Sequence, residues 1–389
     1  MARVSIGFRI AVVLSCAVGS SRAWSTEADG VDAYIESELQ AQRIPGLALL
    51  VVKDGQTVKS RGYGVANVEH QVAVKPETIF QSGSMGKQFT ATAVMMLVEE
   101  GRLTLDDLAS KYLPDAPKTW KKVTVRQLLS HTSGLKNYPD DFDLRDDYTE
   151  QELLQEIYSL PFVFEPGEQS AYSNPGYATL GILIHKVTGQ FYGDFLRDRI
   201  FKPLGMTSTR IISEEDIVPN RAAGYHLING QLKNQDWVSP SLNTTAEGSL
   251  YFNIVDLAKW DAALNTPRLL KKSSFEKMWS PARLNNGLAN RGGYGFGWVR
   301  EQVRGHVVIE HEGAWQGFSS HISRYVDDRL TIVVLTNLSA DSYAGPLEIV
   351  RHVAGRYVAA LVPDEAPKSK PKRLRDPAPP KAEGKTGQR

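Results

Sequence analysis

The stretch Phe80-Gln81-Ser82-Gly83-Ser84-Met85-Gly86-Lys87-Gln88-Phe89-Thr90 begins the most regular helical pattern in the chain. Apolar residues recur on one face between residues 87 and 100, and Gly101 follows as a C-terminal cap. Ser84 and Lys87 are three residues apart, a spacing that places a hydroxyl and an amine on one helix face. The first N–H groups and the helix dipole favour negative charge at Ser84. The pattern predicts a nucleophilic serine at the head of a buried helix; the alternative is a simple N-cap.

The Ser-x-x-Lys spacing is weak on its own, because it occurs at three further places in the chain. These are Ser133 with Lys136, Ser274 with Lys277, and Ser369 with Lys372. Ser133 lies in a polar turn, Ser274 in a polar helix start where we expect it to be solvated or capping, and Ser369 in a Pro- and Lys-rich tail. Only Ser84 precedes a long helix with an apolar face, so Ser84 is the candidate nucleophile.

A serine hydroxyl needs a base, and Lys87 serves as one only after losing its proton. A free lysine has a pKa of about 10.4, so burial must lower it by roughly 2 to 3 units. A second proton carrier would help, and Tyr172-Ser173-Asn174 follows a turn at residues 164–167. Residues two apart in an extended segment point the same way. We expect Tyr172 to shuttle the proton between Ser84, Lys87 and the leaving group, with Asn174 binding the substrate's acyl amide or ordering Lys87.

Strand patterns are concentrated towards the two ends of the core of the chain. Residues 47–53 and 57–63 flank Asp54-Gly55, a strong hairpin signal. Later strand patterns lie at residues 293–299, 306–309, 318–325 and 330–335, and a final amphipathic helix at 344–361. Helical patterns fill the middle. The order predicts an α/β fold of the α+β type, in which an antiparallel sheet built from both chain ends is covered by helices and carries an inserted, mainly helical subdomain. A ligand cleft is expected between sheet and insertion.

Five segments together resemble the superfamily of class C β-lactamases and penicillin-binding proteins. They are residues 80–90, 128–135, 166–177, 294–298 and 311–318. The resemblance covers residues 35–361, and ordered motifs at suitable spacing are far more specific than any one of them. It implies a β-lactamase/transpeptidase-like fold and a serine hydrolase that works through a covalent acyl-enzyme. The superfamily also contains D-Ala-D-Ala carboxypeptidases, D-aminopeptidases and lactamase-like carboxylesterases.

The third motif of this family is usually Lys-Thr-Gly or His-x-Gly, on the strand that faces the nucleophile. Lys385-Thr386-Gly387 matches the first form, but no strand pattern surrounds it. We therefore place the motif at His311-Glu312-Gly313, which follows an apolar run. By position in the family, the Ala314 N–H joins the Ser84 N–H as an oxyanion hole. Gly313 would let the substrate approach the strand edge.

Substrate preference depends on the direction in which Glu312 points. Lactamases of this kind hold a substrate carboxylate with Lys and Thr, where this chain has His311 and Glu312. A carboxylate in the cleft would repel an anionic substrate and favour one with a free amine, and a neutral His311 attracts an anion only weakly. Neighbouring strand residues face opposite ways, however, so Glu312 facing solvent or the helical layer is an equal alternative. We interpret His131 as structural.

Composition and motifs also argue against several classes of function. The chain has 389 residues, with 45 Lys and Arg against 44 Asp and Glu, and its basic residues are concentrated at the two ends. The core is therefore net acidic, which argues against a nucleic-acid-binding face. No His-Glu-x-x-His, P-loop or Gly-x-Ser-x-Gly pattern occurs around the candidate residues. We predict no metal and no cofactor.

The first residues have the pattern of a secretory signal peptide. Arg3 and Arg9 precede an apolar run at residues 10–18, and small residues follow at a cleavage spacing, which predicts a leader at residues 1–23 and an exported protein, periplasmic or secreted. The alternative is a lipid anchor on Cys16, the sole cysteine. No other stretch is apolar for long enough to span a membrane as a helix.

We expect the hydrolase domain at residues 28–361, with its sheet from about 45–65 and 292–361 and a helical insertion at about 105–290. Residues 362–389 form a basic, Pro-rich tail that is predicted to be disordered. The tail is interpreted as a solvated terminus, or as a weak electrostatic contact to an anionic surface.

The predicted function is a serine hydrolase that cleaves small esters, amides or peptides, including those of D-amino acids. The same-fold alternative is a class C-like β-lactamase. A different class of function is a penicillin-binding sensor, whose acyl ester persists because no base activates water.

Overall fold

The computed structural model describes residues 21–139, 141–211, 216–290 and 292–364. Most of the expected leader and nearly all of the expected tail lie outside these ranges, together with Cys16, Ser369 and Lys385-Thr386-Gly387.

Most strands of the described chain belong to one antiparallel sheet. The strands are β1 Gly46–Lys53, β2 Gln56–Asn67, β3 Val72–Ala73, β4 Phe80–Gln81, β5 Arg210–Ile211, β6 Tyr225–Ile228, β7 Gln231–Asn234, β8 Leu250–Phe252, β9 Val299–Val303, β10 His306–Trp315, β11 Phe318–Tyr325 and β12 Leu330–Thr336. The main sheet has the order β3-β2-β1-β12-β11-β10-β9. The early strand β1 pairs directly with the late strand β12, with Leu47 opposite Thr336. This confirms the predicted fold class, in which both ends of the chain build the sheet.

Helices pack on both faces of this sheet. Within the described ranges they are α1 Ser21–Gln42, α2 Lys87–Glu99, α3 Val125–Leu129, α4 Glu150–Ser159, α5 Asn174–Thr188, α6 Tyr192–Leu196, α7 Lys202–Leu204, α8 Ile254–Leu264, α9 Lys272–Trp279 and α10 Pro346–Tyr357. Helices α1 and α10 cover one face of the sheet, and α2 and α8 lie on the other.

Strand β1, GLALLVVK, does not alternate between apolar and polar residues, because all its residues before Lys53 are buried and apolar or glycine. Leu47, Leu49 and Val51 belong to the core under α1 and α10. Leu50 and Val52 belong to the core that contains α2. A strand buried on both faces has no solvent side, so both faces carry apolar residues.

Two details of the predicted elements differ from the structure. The prediction of a strand at residues 293–299 is wrong, because Gly293 and Gly297 have positive φ angles of 68° and 71° and turn the chain before β9 begins. The middle of the chain also contains the short strands β4, β5 and β8, which form a small sheet that the sequence patterns did not predict. This sheet supports the candidate nucleophile, since Ser82 N–H donates to Leu250 O at 2.7 Å.

The turn before α2 packs directly against β10. Ser84 lies in a 3₁₀ turn, Gly83–Gly86, one turn ahead of the predicted helix start. A Cβ atom on Gly83 would lie 2.4 Å from Ala314 N, and one on Gly313 would lie 2.0 Å from Ser82 O. Both positions require glycine because two backbones meet there.

A buried ion pair joins α8 to the sheet. Arg324 of β11 donates to Asp261 of α8 at 2.8 Å, and the hydroxyl of Thr331 on β12 donates to the same carboxylate oxygen at 2.8 Å. Both members of the pair are buried. Removing one partner would leave the other charge buried and unpaired.

We expect Asp261→Ala to lower the free energy of unfolding by about 3 to 5 kcal/mol, because Arg324 then loses its charge partner. Urea unfolding followed by circular dichroism measures this loss. The control is Asp106→Ala, which breaks a more exposed pair with Arg126 and is expected to cost less than about 1 kcal/mol. Equal losses in the two variants would contradict the structural role of the buried pair.

Candidate active site

Ser84 lies where the turn before α2, strand β10 and the start of α5 come together. The residue is half-buried, whereas its neighbours Gly83 and Met85 are buried. The segment before β8 approaches from another side, since a Cβ on Gly248 would lie 3.1 Å from Gly83 C. The hydroxyl of Ser84 is thus surrounded by chain from distant parts of the sequence.

Lys87 is fully buried and donates three hydrogen bonds. Its Nζ lies 2.9 Å from Ser84 Oγ, 2.8 Å from Asn174 Oδ1 and 2.6 Å from the backbone oxygen of Glu247. Burial lowers the pKa of Lys87 to about 7, and the Glu247 carboxylate opposes this shift. The amine is therefore poised to lose its proton near neutral pH.

Tyr172 stands beside both Ser84 and Lys87. The amine of Lys87 lies 4.9 Å from the centroid of the Tyr172 ring. The residue as a whole is 42% exposed, although its hydroxyl lies in buried surroundings. Burial raises the pKa of Tyr172, and a hydrogen bond with Ser84 opposes the shift. The phenol is therefore neutral at pH 7 and able to donate a proton.

The sequence folds locally to aim Asn174 at Lys87. Ser173 caps α5, with its hydroxyl accepting from Gly176 N–H at 3.3 Å. Asn174 begins the helix, and its own N–H donates to Asn137 Oδ1 at 3.0 Å. The side-chain oxygen of Asn174 accepts from Lys87. This geometry supports the interpretation that Asn174 orders the amine.

His131 holds the segment that carries Tyr172. Its Nδ1 accepts from Ser173 N–H at 3.1 Å, and its ring packs 4.1 Å from that of Tyr172 and 4.5 Å from that of Tyr294. Because Nδ1 accepts, the proton of the neutral ring is on Nε2. Burial lowers the pKa of His131, and the charge of Lys87 lowers it further. These contacts fit the structural interpretation of this residue.

His311 is buried on β10, and both of its ring nitrogens are engaged. Nδ1 lies 2.5 Å from the backbone oxygen of Glu312, and Nε2 lies 2.9 Å from the hydroxyl of Tyr294. A carbonyl can only accept, so Nδ1 carries the proton and Nε2 accepts from Tyr294. Burial lowers the pKa of His311 to about 3. His311 is therefore a neutral group with its hydrogen bonds already used.

Glu312 lies on the opposite face of β10 from His311. It pairs with His321 of β11, whose ring bonds Glu310 and Ser323 on the α10 side of the sheet. Glu312 is exposed, although its charge still raises the pKa of Tyr172. Of the two alternatives for this side chain, the structure shows the one outside the cleft.

Gly313 and Ala314 lie where β10 crosses the turn Gly83–Gly86, which carries Ser84. Gly313 touches the backbone of Ser82, and the Ala314 amide nitrogen lies beside Gly83. The hydroxyl of Ser320 on β11 donates to Ser82 O at 2.7 Å and fixes the crossing. The backbone of Ala314 is thus held next to that of Ser84.

Two side chains of this region were not predicted from the sequence as part of the site. Glu247 is buried beside Lys87, within the motif-free stretch Thr244-Thr245-Ala246-Glu247-Gly248, and no local pattern could have identified it. Tyr294 falls inside a segment that contributed to the family resemblance, but its bond to His311 depends on the turn at Gly293 and Gly297.

The other candidate serines are engaged elsewhere. Ser133 is buried, and its hydroxyl accepts from Leu135 N–H at 3.3 Å. The expectation of a solvated or capping Ser274 is wrong, because its hydroxyl is largely buried and donates to Glu99 Oε1 at 2.5 Å. Neither hydroxyl is a hydrogen-bond partner of the buried amine of Lys87, which donates to Ser84, Asn174 and Glu247.

In the described part of the chain, no group of three or more His, Cys, Asp and Glu side chains is arranged to hold a metal ion. The helices of the same part of the chain lack the combined length and apolar character that crossing a membrane requires.

Comparison with known proteins identifies the family. The family described as "Beta-lactamase" matches residues 31–354. The chain is 32% identical over 313 residues to "Penicillin-binding protein 4*" of Bacillus subtilis (strain 168), covering 76% of this chain and 68% of that protein. It is 30% identical over 348 residues to "Protein flp" of Staphylococcus aureus (strain MRSA252), covering 85% and 68%. The chain belongs to the beta-lactamase family.

A solved structure agrees with this assignment. The octameric penicillin-binding protein homologue from Pyrococcus abyssi superposes with a TM-score of 0.75 at 29% identity, covering 85% of this chain and 77% of that one. The predicted family resemblance and the fold class are both confirmed.

The bonding of His311 leads to a measurable expectation. Because burial holds its pKa at about 3, the ring stays neutral, with its proton on Nδ1, from pH 8 down to pH 5. Imidazole ¹⁵N shifts, assigned through a His311→Gln variant, should remain constant over this range. The urea-unfolded chain provides the reference, in which a histidine titrates near pH 6.5. A His311 titration above pH 5 in the folded protein would contradict the described hydrogen bonds.

Proposed function

We propose that the protein is an exported serine hydrolase that forms an acyl-enzyme on Ser84. The observation that carries the proposal is the contact of a fully buried Lys87 amine with the Ser84 hydroxyl at 2.9 Å. An amine that loses its proton near neutral pH can accept the serine proton.

In the first step Ser84 Oγ bonds to the carbonyl carbon of the substrate, and the hydroxyl proton passes to Lys87. The tetrahedral intermediate then expels the alcohol or amine. Tyr172, which lies beside Ser84 and Lys87, delivers a proton to that leaving group and recovers one from Lys87. A water oxygen then bonds to the acyl carbon while one water proton passes to the same pair. The bond to Ser84 Oγ breaks, the acid leaves, and that proton returns to Oγ.

The negative oxygen of the intermediate needs donors from the backbone. The Ser84 and Ala314 N–H groups are proposed for this role, because β10 is held against the nucleophile turn at Gly83 and Gly313. Each such donor contributes on the order of 3 kcal/mol in the transition state. Asn174 keeps Lys87 in place throughout.

The proposed substrates are small esters and amides, including peptide amides of D-amino acids. Strand β10 carries no Lys or Arg, and His311 is neutral with both nitrogens occupied. No cation on this strand is therefore available to hold a substrate carboxylate. Hydrolysis or trapping of β-lactams is the second candidate, and it is favoured by the names of the penicillin-binding relatives.

Ser84→Ala should abolish hydrolysis of a chromogenic ester, because it removes the atom that forms the acyl bond. The matched control is Ser274→Ala, which alters another Ser-x-x-Lys pair and is expected to retain nearly full activity. Initial rates and the intact mass of the trapped acyl adduct are the measurements. Activity in Ser84→Ala, or an adduct on another residue, would defeat the assignment.

The rate of acylation should rise with pH through about 7, because Lys87 accepts a proton only as the free amine and its pKa is about 7. Below that pH the ammonium form cannot take the serine proton. Stopped-flow measurement of kcat/KM between pH 5 and 9 gives the profile. A rate independent of pH across 6 to 8 would rule out this role of Lys87.

A panel of substrates separates the candidate functions. We expect steady turnover of the ester and of a D-amino-acid amide, and slow turnover of a cephalosporin, because β10 supplies no cation for its carboxylate. Faster turnover of the cephalosporin would favour β-lactam hydrolysis instead. A burst of product without a steady state, with a stable adduct by mass, would indicate a sensor.

A further inference from the structure

Glu247 is buried beside the candidate base through its backbone oxygen, and its carboxyl group has no role in the steps above. The residue is only 5% exposed. Its backbone oxygen accepts from Lys87 at 2.6 Å, and its neighbour Gly248 packs against Gly83. Its Oε2 atom is buried and has no hydrogen-bond partner among the described residues. A buried carboxylate with an unpartnered oxygen is costly, so its placement beside an amine requires a physical account.

The groups that face this pair come from several elements. Glu247 acts on Tyr138 after α3, on Tyr172 before α5 and on Tyr192 of α6, and Lys87 acts on His131 and on His311 of β10. The pKa values of these tyrosines are raised and those of the histidines lowered, mainly by burial. These five side chains are therefore neutral around pH 7. Glu312, which acts on Tyr172, contributes a charge from the exposed side.

The charges of Lys87 and Glu247 therefore act mainly on each other. Burial lowers the pKa of the amine and raises that of the carboxyl, and the attraction between their charged forms opposes both shifts. When two groups interact in this way, the proton affinity of one depends on the charge of the other. A negative carboxylate retains the proton on Lys87, and a neutral carboxyl releases it.

We propose that Glu247 is a positioning residue that sets the pH at which Lys87 becomes a free amine, through the charge of its buried, partly unpartnered carboxyl. The inference rests on the proposed function, because the proton on Lys87 matters only if this amine takes the proton of Ser84. Its geometric basis is the enclosure of both groups in one site, with the Glu247 backbone bonded to the amine itself.

The test uses Glu247→Gln in the full chain and a fluorophosphonate ester as the probe. Ser84 Oγ forms a bond to phosphorus, the P–F bond breaks, fluoride leaves, and the hydroxyl proton goes to Lys87. The rate of adduct formation is followed by intact mass from pH 4 to 9. Because the amide carries no charge to hold the ammonium, the midpoint of the acid limb should fall by about one pH unit.

Two further variants separate charge from packing. Glu247→Asp keeps the charge and should leave the midpoint near that of the unaltered protein. Glu276→Gln removes an exposed carboxylate on α9 and should leave the profile unchanged. Misfolded protein lowers the amount of adduct but does not change the pH midpoint of the rate. The midpoint can therefore be measured even for a variant that folds only in part.

An unmoved or raised midpoint in Glu247→Gln would overturn the proposal, as would a shift in Glu247→Asp equal to that in Glu247→Gln. Failure of the proposed function looks different. In that case the unaltered protein would form no adduct on Ser84 at any pH. If only the role of Glu247 is wrong, the adduct still forms, and the pH midpoint of its formation is the same in Glu247→Gln as in the unaltered protein.

Discussion

The site depends on keeping one amine away from water. Lys87 has no exposed surface, and each of its three hydrogen bonds goes to a different part of the chain. Burying an amine costs free energy of folding, and that cost appears as the low pKa of the group. The packing of the surrounding core must offset this cost in the free energy of folding. The packing of α2 beneath the sheet therefore helps to keep the pKa of Lys87 low.

The sheet positions the second half of the site. Strand β10 packs against the turn Gly83–Gly86 through two glycines and the Ser320 hydroxyl, so the backbone of Ala314 stays beside Ser84. On the same strand, His311 is occupied by Tyr294 and by its own backbone. A neutral, fully bonded histidine brings no charge to the site. The electrostatic character of the site therefore comes mainly from Lys87 and Glu247.

The elements that could be predicted from the sequence are those that local residue patterns determine. The apolar face of α2, the Asp54-Gly55 hairpin and the strand runs of β1 and β12 are periodic or bounded by turn residues, and the structure contains them. Strand β9 and Tyr294 were missed because glycines turn residues 293–298 away from an extended path. Glu247 was missed because its importance comes from tertiary packing next to an amine 160 positions earlier. Periodic patterns in the local sequence do not indicate such a long-range contact.

The pairing of β1 with β12 determines when the main sheet can assemble during synthesis. The strand that lies between β1 and β11 spans residues 330–336 and is made long after Ser84. Until it emerges, β10 and β11 have no bridge to β1, and contacts so distant in sequence form slowly. In a nascent polypeptide, therefore, the β10 backbone is not held beside Ser84 by the complete sheet until residues 330–336 have been made.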